Sequence, residues 1–313
     1  KSCLIDYPQI RPGSMQKNLV NFLFTIALLF VITACVCRSD RDQESTNSKT
    51  TAPASDNTQT KAPPAQSNSS SSNAQKHSDD GDFLVEHDDV QNQRYAEIDR
   101  QVKDEKLLEK AADQLNRSLI LPHNITLITK DCNGDVNAYY DSNAESVTVC
   151  YELMEHFYKV FKSAGTSDDL AYTKMFDAVR FVFLHEIGHA LIDTYKLPVM
   201  GNEEDAADRC SAYINLKELG GDEGVRAVFA AADAFNIESK MNPGGSRNLA
   251  DEHLLQEQRF YNSLCMVYGS DTNKYAYIVN QGYLPKERAV RCPSEYQRTV
   301  DSWIDLLQPW RKD

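Results

Sequence analysis

Positive charge is scarce in this chain: 33 Lys and Arg stand against 46 Asp and Glu, a formal net charge of -13 over 313 residues. The cations form no stripe, and nucleic acid is bound through clustered Lys and Arg, so the sequence argues against a nucleic-acid partner. Glycine offers no phosphate cradle, because Gly244-Gly245 is a lone turn. No Cys-x-x-Cys occurs among the 8 cysteines, which argues against a zinc ribbon. Internal repeats are missing as well. From Ser39 to about Asp82 large apolar side chains give way to Ser, Thr, Asn, Gln, Pro and Ala. Such a stretch cannot bury enough surface to offset the entropy of ordering, so residues 35–82 read as a disordered tether.

What is present lies on either side of that tether. Met15-Gln16-Lys17 precede an apolar run from Leu19 to Ala34 and then Cys35, the basic, apolar, small order of an export signal. Residues 1–14 are then an upstream extension and 15–34 the signal. Ile32-Thr33-Ala34-Cys35 resembles the lipobox of bacterial lipoproteins, which implies lipidation at Cys35 and a membrane tether; the alternative is an uncleaved span, although the run falls just short of the usual ~20 residues. Val36 in place of Asp leans, by resemblance to Gram-negative lipoproteins, towards the outer membrane, facing periplasm or cell surface.

Export changes the reading of the cysteines, since an oxidising compartment permits disulfides. Cys132 and Cys150 flank an expected hairpin, Cys265 and Cys292 bracket a loop near the C-terminus, and the spacing predicts these two pairs with Cys210 left as a buried thiol.

Residues 83–313 suit one domain with its own core. Helical spacing of Ile98, Val102, Leu107, Leu108 and Leu115 predicts one or two helices between Asp88 and Leu119. Ile125 to Ile128 reads as a strand, and Ala138-Tyr139-Tyr140 with Val147-Thr148-Val149 as a hairpin. Helices are expected from Tyr151 to about Lys162, Leu170 to Tyr195, Asn202 to Leu219, Asp222 to Phe235, Ala250 to Tyr268 and Glu295 to Leu307.

The chemistry sits in the second of these helices. His185-Glu186-Ile187-Gly188-His189 places two imidazoles at i and i+4, on one face and close enough to share an ion, with Glu186 beside them. That is the HExxH arrangement for one zinc ion, with His185 and His189 as ligands and Glu186 as the base that deprotonates the attacking water. Phe181 to Leu184 before it and Ala190 to Ile192 after it would bury the helix. The third ligand is expected from Glu203-Glu204-Asp205-Ala206-Ala207-Asp208, with Glu204 first and Glu203 second in order. Glu204 and Asp208 match the E-x-x-x-D of thermolysin-type gluzincins, and that resemblance implies that Asp208 orients a ligating histidine. His253, Arg259 and Tyr261 are candidates for the donor that steadies the oxyanion. The strand Ser146 to Cys150 is expected to hold an extended substrate.

Taken together, Asn137-Ala138-Tyr139-Tyr140, Cys150-Tyr151-Glu152, the HEIGHALID stretch, Leu197-Pro198-Val199, Gly201 with the EEDAAD run, Glu257 to Asn262 and Arg288-Ala289 with Cys292 resemble a bacterial family of metallopeptidase-like proteins of unknown function. The resemblance covers about residues 95 to 310. It implies an α+β fold, a mostly helical zincin-like domain with a small antiparallel sheet, and a zinc-dependent hydrolase acting on peptide or protein. Two other readings stand beside an endopeptidase: an amidase of cell-wall peptides, and a zinc-stabilised binding domain without turnover. An unligated Glu186 between the two histidines separates the last from the others, because a structural zinc site has no use for it.

Overall fold

Buried and half-exposed residues alternate along Ile125–Lys130, whereas Ser146–Cys150 is buried at every position. The first pattern belongs to a strand with one wetter face and the second to a strand enclosed on both, which fixes the inner layer of the domain. This computed structural model describes residues 77–241 and 249–312. The extension 1–14, the signal 15–34, Cys35, the tether as far as residue 76 and the turn at 243–245 lie outside the described residues.

The sheet contains β1 (Phe83–His87), β2 (Ile125–Lys130), β3 (Ala138–Asp141) and β4 (Ser146–Cys150), in the order β1-β2-β4-β3. β1 pairs with β2 and β2 with β4 in parallel; only β3 and β4 are antiparallel, so the sheet is mixed rather than antiparallel as expected. The parallel step from β1 to β2 requires a crossover, supplied by α1 (Ala96–Glu105) and α2 (Leu107–Ser118). β4 is paired along both edges, and β3 is left at the end of the sheet. The strand expected to take substrate therefore has no edge to offer, and β3 has one.

Below the sheet follow α3 (Tyr151–Ser163), α4 (Asp168–Tyr195), α5 (Glu203–Tyr213), α6 (Gly221–Met241), α7 (Gln256–Ser270), α8 (Ala276–Asn280), α9 (Lys286–Ala289) and α10 (Cys292–Leu307). α4 is buried along most of its length because it is the central element, packed against α3, α5, α6, β3 and β4. Among the described residues no helix is long and apolar enough to cross a membrane. One charged pair crosses this core: Lys174 Nζ on α4 lies 2.5 Å from Asp233 Oδ2 on α6, and neither side chain is more than 2% exposed. α7 begins at Gln256, not at residue 250, so His253 belongs to a turn and not to a helix.

The apolar residues form two clusters. One joins the sheet to α1 through α5 and takes in Ala230 and Ala234 of α6 and Val300, Trp303 and Leu307 of α10; the other fills the space among α6 to α10 and takes in Phe181 of α4 and Ala212 of α5. Both expected disulfides are formed, with Cα separations of 5.5 Å for Cys132–Cys150 and 5.0 Å for Cys265–Cys292. Among the described residues Cys210 is the free thiol, and it is buried. The first bridge ties the loop before β3 to the end of β4. The buried Glu152 carboxylate holds the same loop by accepting from the backbone N–H of Cys132 (3.1 Å) and of Gly134 (2.8 Å). The second bridge joins α7 to α10 inside the second cluster.

Candidate metal centre

His185 and His189 stand one turn apart on α4, their ring centroids 4.9 Å apart and their Nε2 atoms 3.2 Å apart. α5 lies against the same face, and the reason is Gly188: a Cβ there would meet Cys210 Cβ at 3.0 Å and Ala207 Cα at 3.1 Å. The missing side chain lets the helices approach. Asn202 caps α5 by accepting from the Asp205 N–H at 3.0 Å, and the acidic residues that follow suit the positive end of the helix.

That approach brings Glu204 between the two imidazoles. Its Oε2 is 3.0 Å from His185 Nε2 and its Oε1 is 3.4 Å from His189 Nε2. The other ring nitrogens meet carboxylates too: His185 Nδ1 lies 2.9 Å from Asp208 Oδ1, and His189 Nδ1 lies 2.8 Å from Glu203 Oε1. A neutral ring that donates from Nδ1 keeps its lone pair on Nε2. Both Nε2 lone pairs then face Glu204 oxygens, and two acceptors attract only through a proton or a cation between them.

The electrostatics follow from this. Burial alone would depress the His185 imidazole, but its hydrogen bonds to Asp208 and Glu204 outweigh burial and push it up to about 9. His189 is raised in the same way, burial being overcome by Glu204 and Glu203. Burial opposes ionisation of Glu204, yet His185, His189 and His253 hold its carboxyl well below the usual range. Two imidazole nitrogens and a carboxylate form the donor set that suits a catalytic zinc, so these residues fit the ion.

Glu186 is buried, with Oε1 4.0 Å from His185 Nε2. Burial pushes its carboxyl up, while His185 and His189 and a backbone hydrogen bond from Tyr140 offset part of the rise. An elevated carboxyl is better matched to taking and returning a proton near neutral pH.

Asp208 is held from behind. Arg259 on α7 donates from Nε (2.8 Å) and Nη2 (2.7 Å) to its two oxygens and lies 4.2 Å above the Phe235 ring. Burial would raise the Asp208 carboxyl, but the Arg259 guanidinium and His185 keep it low. Arg259 is thus committed to Asp208 rather than to an oxyanion. Tyr261 is 37% exposed and does not line the cleft. Glu203 orients His189 instead of joining Glu204 between the rings. His253 comes closest, with Nε2 3.0 Å from Glu204 Oε2. Sequence reasoning missed Asp251, whose Oδ1 lies 3.3 Å from His253 Nδ1; the only available signal was an acidic residue two positions before a histidine.

The site opens into a cleft of about 940 Å³. One wall is Val136 to Tyr140 along β3, the floor is the α4 histidines and Glu186, and the far wall is Glu252, His253 and Gln256. Tyr140 fastens the β3 wall to α4, its hydroxyl donating to Asp193 Oδ2 at 3.0 Å.

Compared with known proteins, residues 51–307 match the model of a family described as "Putative metallopeptidase". Neither the curated proteins nor the solved structures gave a match.

Proposed function

The chain belongs to this metallopeptidase family, and from that premise we propose that it is a zinc-dependent endopeptidase with His185, His189 and Glu204 as ligands and Glu186 as general base. The observation that carries the reading is the convergence of both Nε2 atoms on the Glu204 carboxylate with Glu186 Oε1 at 4.0 Å. A zinc ion in that position supplies Lewis acidity to a water and to the scissile carbonyl. Glu186 takes the proton of the attacking water and passes it to the departing amine. Asp208, fixed by Arg259, keeps His185 in the tautomer with its lone pair on Nε2. Among the described residues no strand pairs with the outer edge of β3, which borders the cleft, so an extended peptide can pair with it through backbone hydrogen bonds.

Glu186→Gln tests the role of the base. The variant is expected to bind zinc like the parent, by chelator competition, and to lose roughly 10²- to 10⁴-fold in peptide cleavage. Loss of zinc in E186Q would contradict the assignment. Chelator-sensitive cleavage of a peptide library, run beside purified peptidoglycan, separates an endopeptidase from a cell-wall amidase.

We propose further that the domain is exported and lipid-anchored through Cys35. Support comes from the signal-like order of residues 15–35 and from two disulfides, which persist in an oxidising compartment. Mass spectrometry of the mature protein is expected to find a lipidated Cys35 as the first residue. An unmodified Cys35 inside an intact chain rules that out.

A further inference from the structure

Three imidazoles, not two, point at Glu204. His253 Nε2 is 3.0 Å from Glu204 Oε2, the same oxygen that His185 Nε2 approaches at 3.0 Å. The Nε2 of His185, the carboxylate of Glu204 and a nitrogen of His253 all fall within 4.8 Å of one another. Four donors ~2.1 Å from a tetrahedral zinc are separated by roughly 3.4 Å. The His185 and His253 Nε2 atoms each lie 3.0 Å from Glu204 Oε2, the His189 Nε2 lies 3.4 Å from Glu204 Oε1 and 3.2 Å from the His185 Nε2, so each measured separation is of that order, and His189 meets the other oxygen of the carboxylate. Glu186 at 4.0 Å lies outside it.

A second pattern leads to the same place. Each of the three rings has Nδ1 on a carboxylate, Asp208 for His185, Glu203 for His189 and Asp251 for His253, and each turns Nε2 inward. The Asp251 carboxylate also accepts from the His253 backbone N–H at 2.9 Å, so one residue sets both the turn and the ring. Orienting carboxylates of this kind accompany metal-ligating histidines. A histidine serving only as a hydrogen-bond donor to an oxyanion would need its proton on Nε2, the nitrogen that faces Glu204 here.

Resting on the metallopeptidase reading above, we infer that His253 is a fourth protein donor to the metal, so that the resting site is closed and His253 must leave before a water or a peptide carbonyl can take its position. It is the donor suited to exchange. Its side chain is 46% exposed against 3% for His185, 15% for His189 and 16% for Glu204, and it comes from a turn while the others come from helices.

The test is Co²⁺ titrated into the metal-free full chain, followed by visible absorption and calorimetry. The parent is expected to give the intense bands of a four-coordinate ion. His253→Ala is expected to bind Co²⁺ about 10- to 100-fold more weakly, with weaker bands as solvent enters, and added imidazole should restore the parent spectrum. Asp251→Asn should move both readouts in the same direction by a smaller factor, and it serves alone if H253A does not fold. Parent-like affinity and spectrum in both variants would overturn the proposal. His185→Gln keeps the two ideas apart: if it abolishes Co²⁺ binding while H253A changes nothing, the fourth donor is wrong and the metal site stands. If H185Q also binds as the parent does, the site itself is misplaced.

Discussion

Asp208 joins two buried systems, since it accepts from both nitrogens of the Arg259 fork and faces His185 Nδ1. Removing one partner of a buried ion pair costs about 3–5 kcal/mol, because the other charge remains in a poor solvent for it. Arg259→Met is therefore expected to weaken zinc binding by about 10- to 100-fold and to lower the melting temperature, measured by chelator competition and calorimetry. Arg259→Lys should recover only part of either, because a point charge cannot reproduce the fork. Unchanged zinc affinity in R259M would show that Asp208 needs no support. The histidines were legible because a helix alone fixes two side chains at i and i+4. Arg259 was legible only as a polar candidate, since nothing local ties it to a carboxylate 51 positions earlier. Asp251-Glu252-His253 read as a continuation of α7, so the turn that aims His253 was hidden.

The contact between α4 and α5 decides whether Glu204 reaches the rings at all. Gly188→Ala gains about 1 kcal/mol of helix propensity, but overpacking costs about 1–3 kcal/mol, and the Ala207 backbone at 3.1 Å has no flexible end to move aside. The separation of the helices should therefore grow. G188A is expected to keep the fold and bind zinc measurably more weakly, and Gly188→Leu to bind none, both read by zinc titration with circular dichroism as the control for folding. Tight zinc binding by G188L would mean that α5 is not held by this approach. Sequence reading placed most helices well because their apolar spacing is local. It assigned the substrate strand to β4 because the pairing of β2 with β4, which closes that edge, cannot be read from the pattern of either strand alone. With β1 and β2 on one side, β4 is enclosed and the edge passes to β3.

Across the molecule the site spans both apolar clusters: α4 and α5 contribute mainly to the first, and α7, which carries Arg259, to the second. An ion bound only by the folded form stabilises it by about 4 kcal/mol at a thousand times its Kd. In a domain of this size each kcal/mol moves the melting temperature by about 2–4 °C, so chelation is expected to lower it by about 8–16 °C, with zinc restoring it. No shift in scanning calorimetry would mean that no tight site forms. The α+β class was readable from the mixture of periodicities. The parallel pairing was not, because the register between β1 and β2 depends on residues 42 positions apart.

The Lys174–Asp233 pair has a further bearing, on how sequences of this fold can change. It joins the central helix to its neighbour with almost no solvent at hand, so replacing either residue alone takes the nearest opposite charge from a buried group, which costs about 3–5 kcal/mol against a domain's margin of about 5–15 kcal/mol. Exchanging both residues together for apolar ones of similar volume is the change the core tolerates better than either exchange alone. The two positions are energetically coupled although 59 residues separate them along the chain.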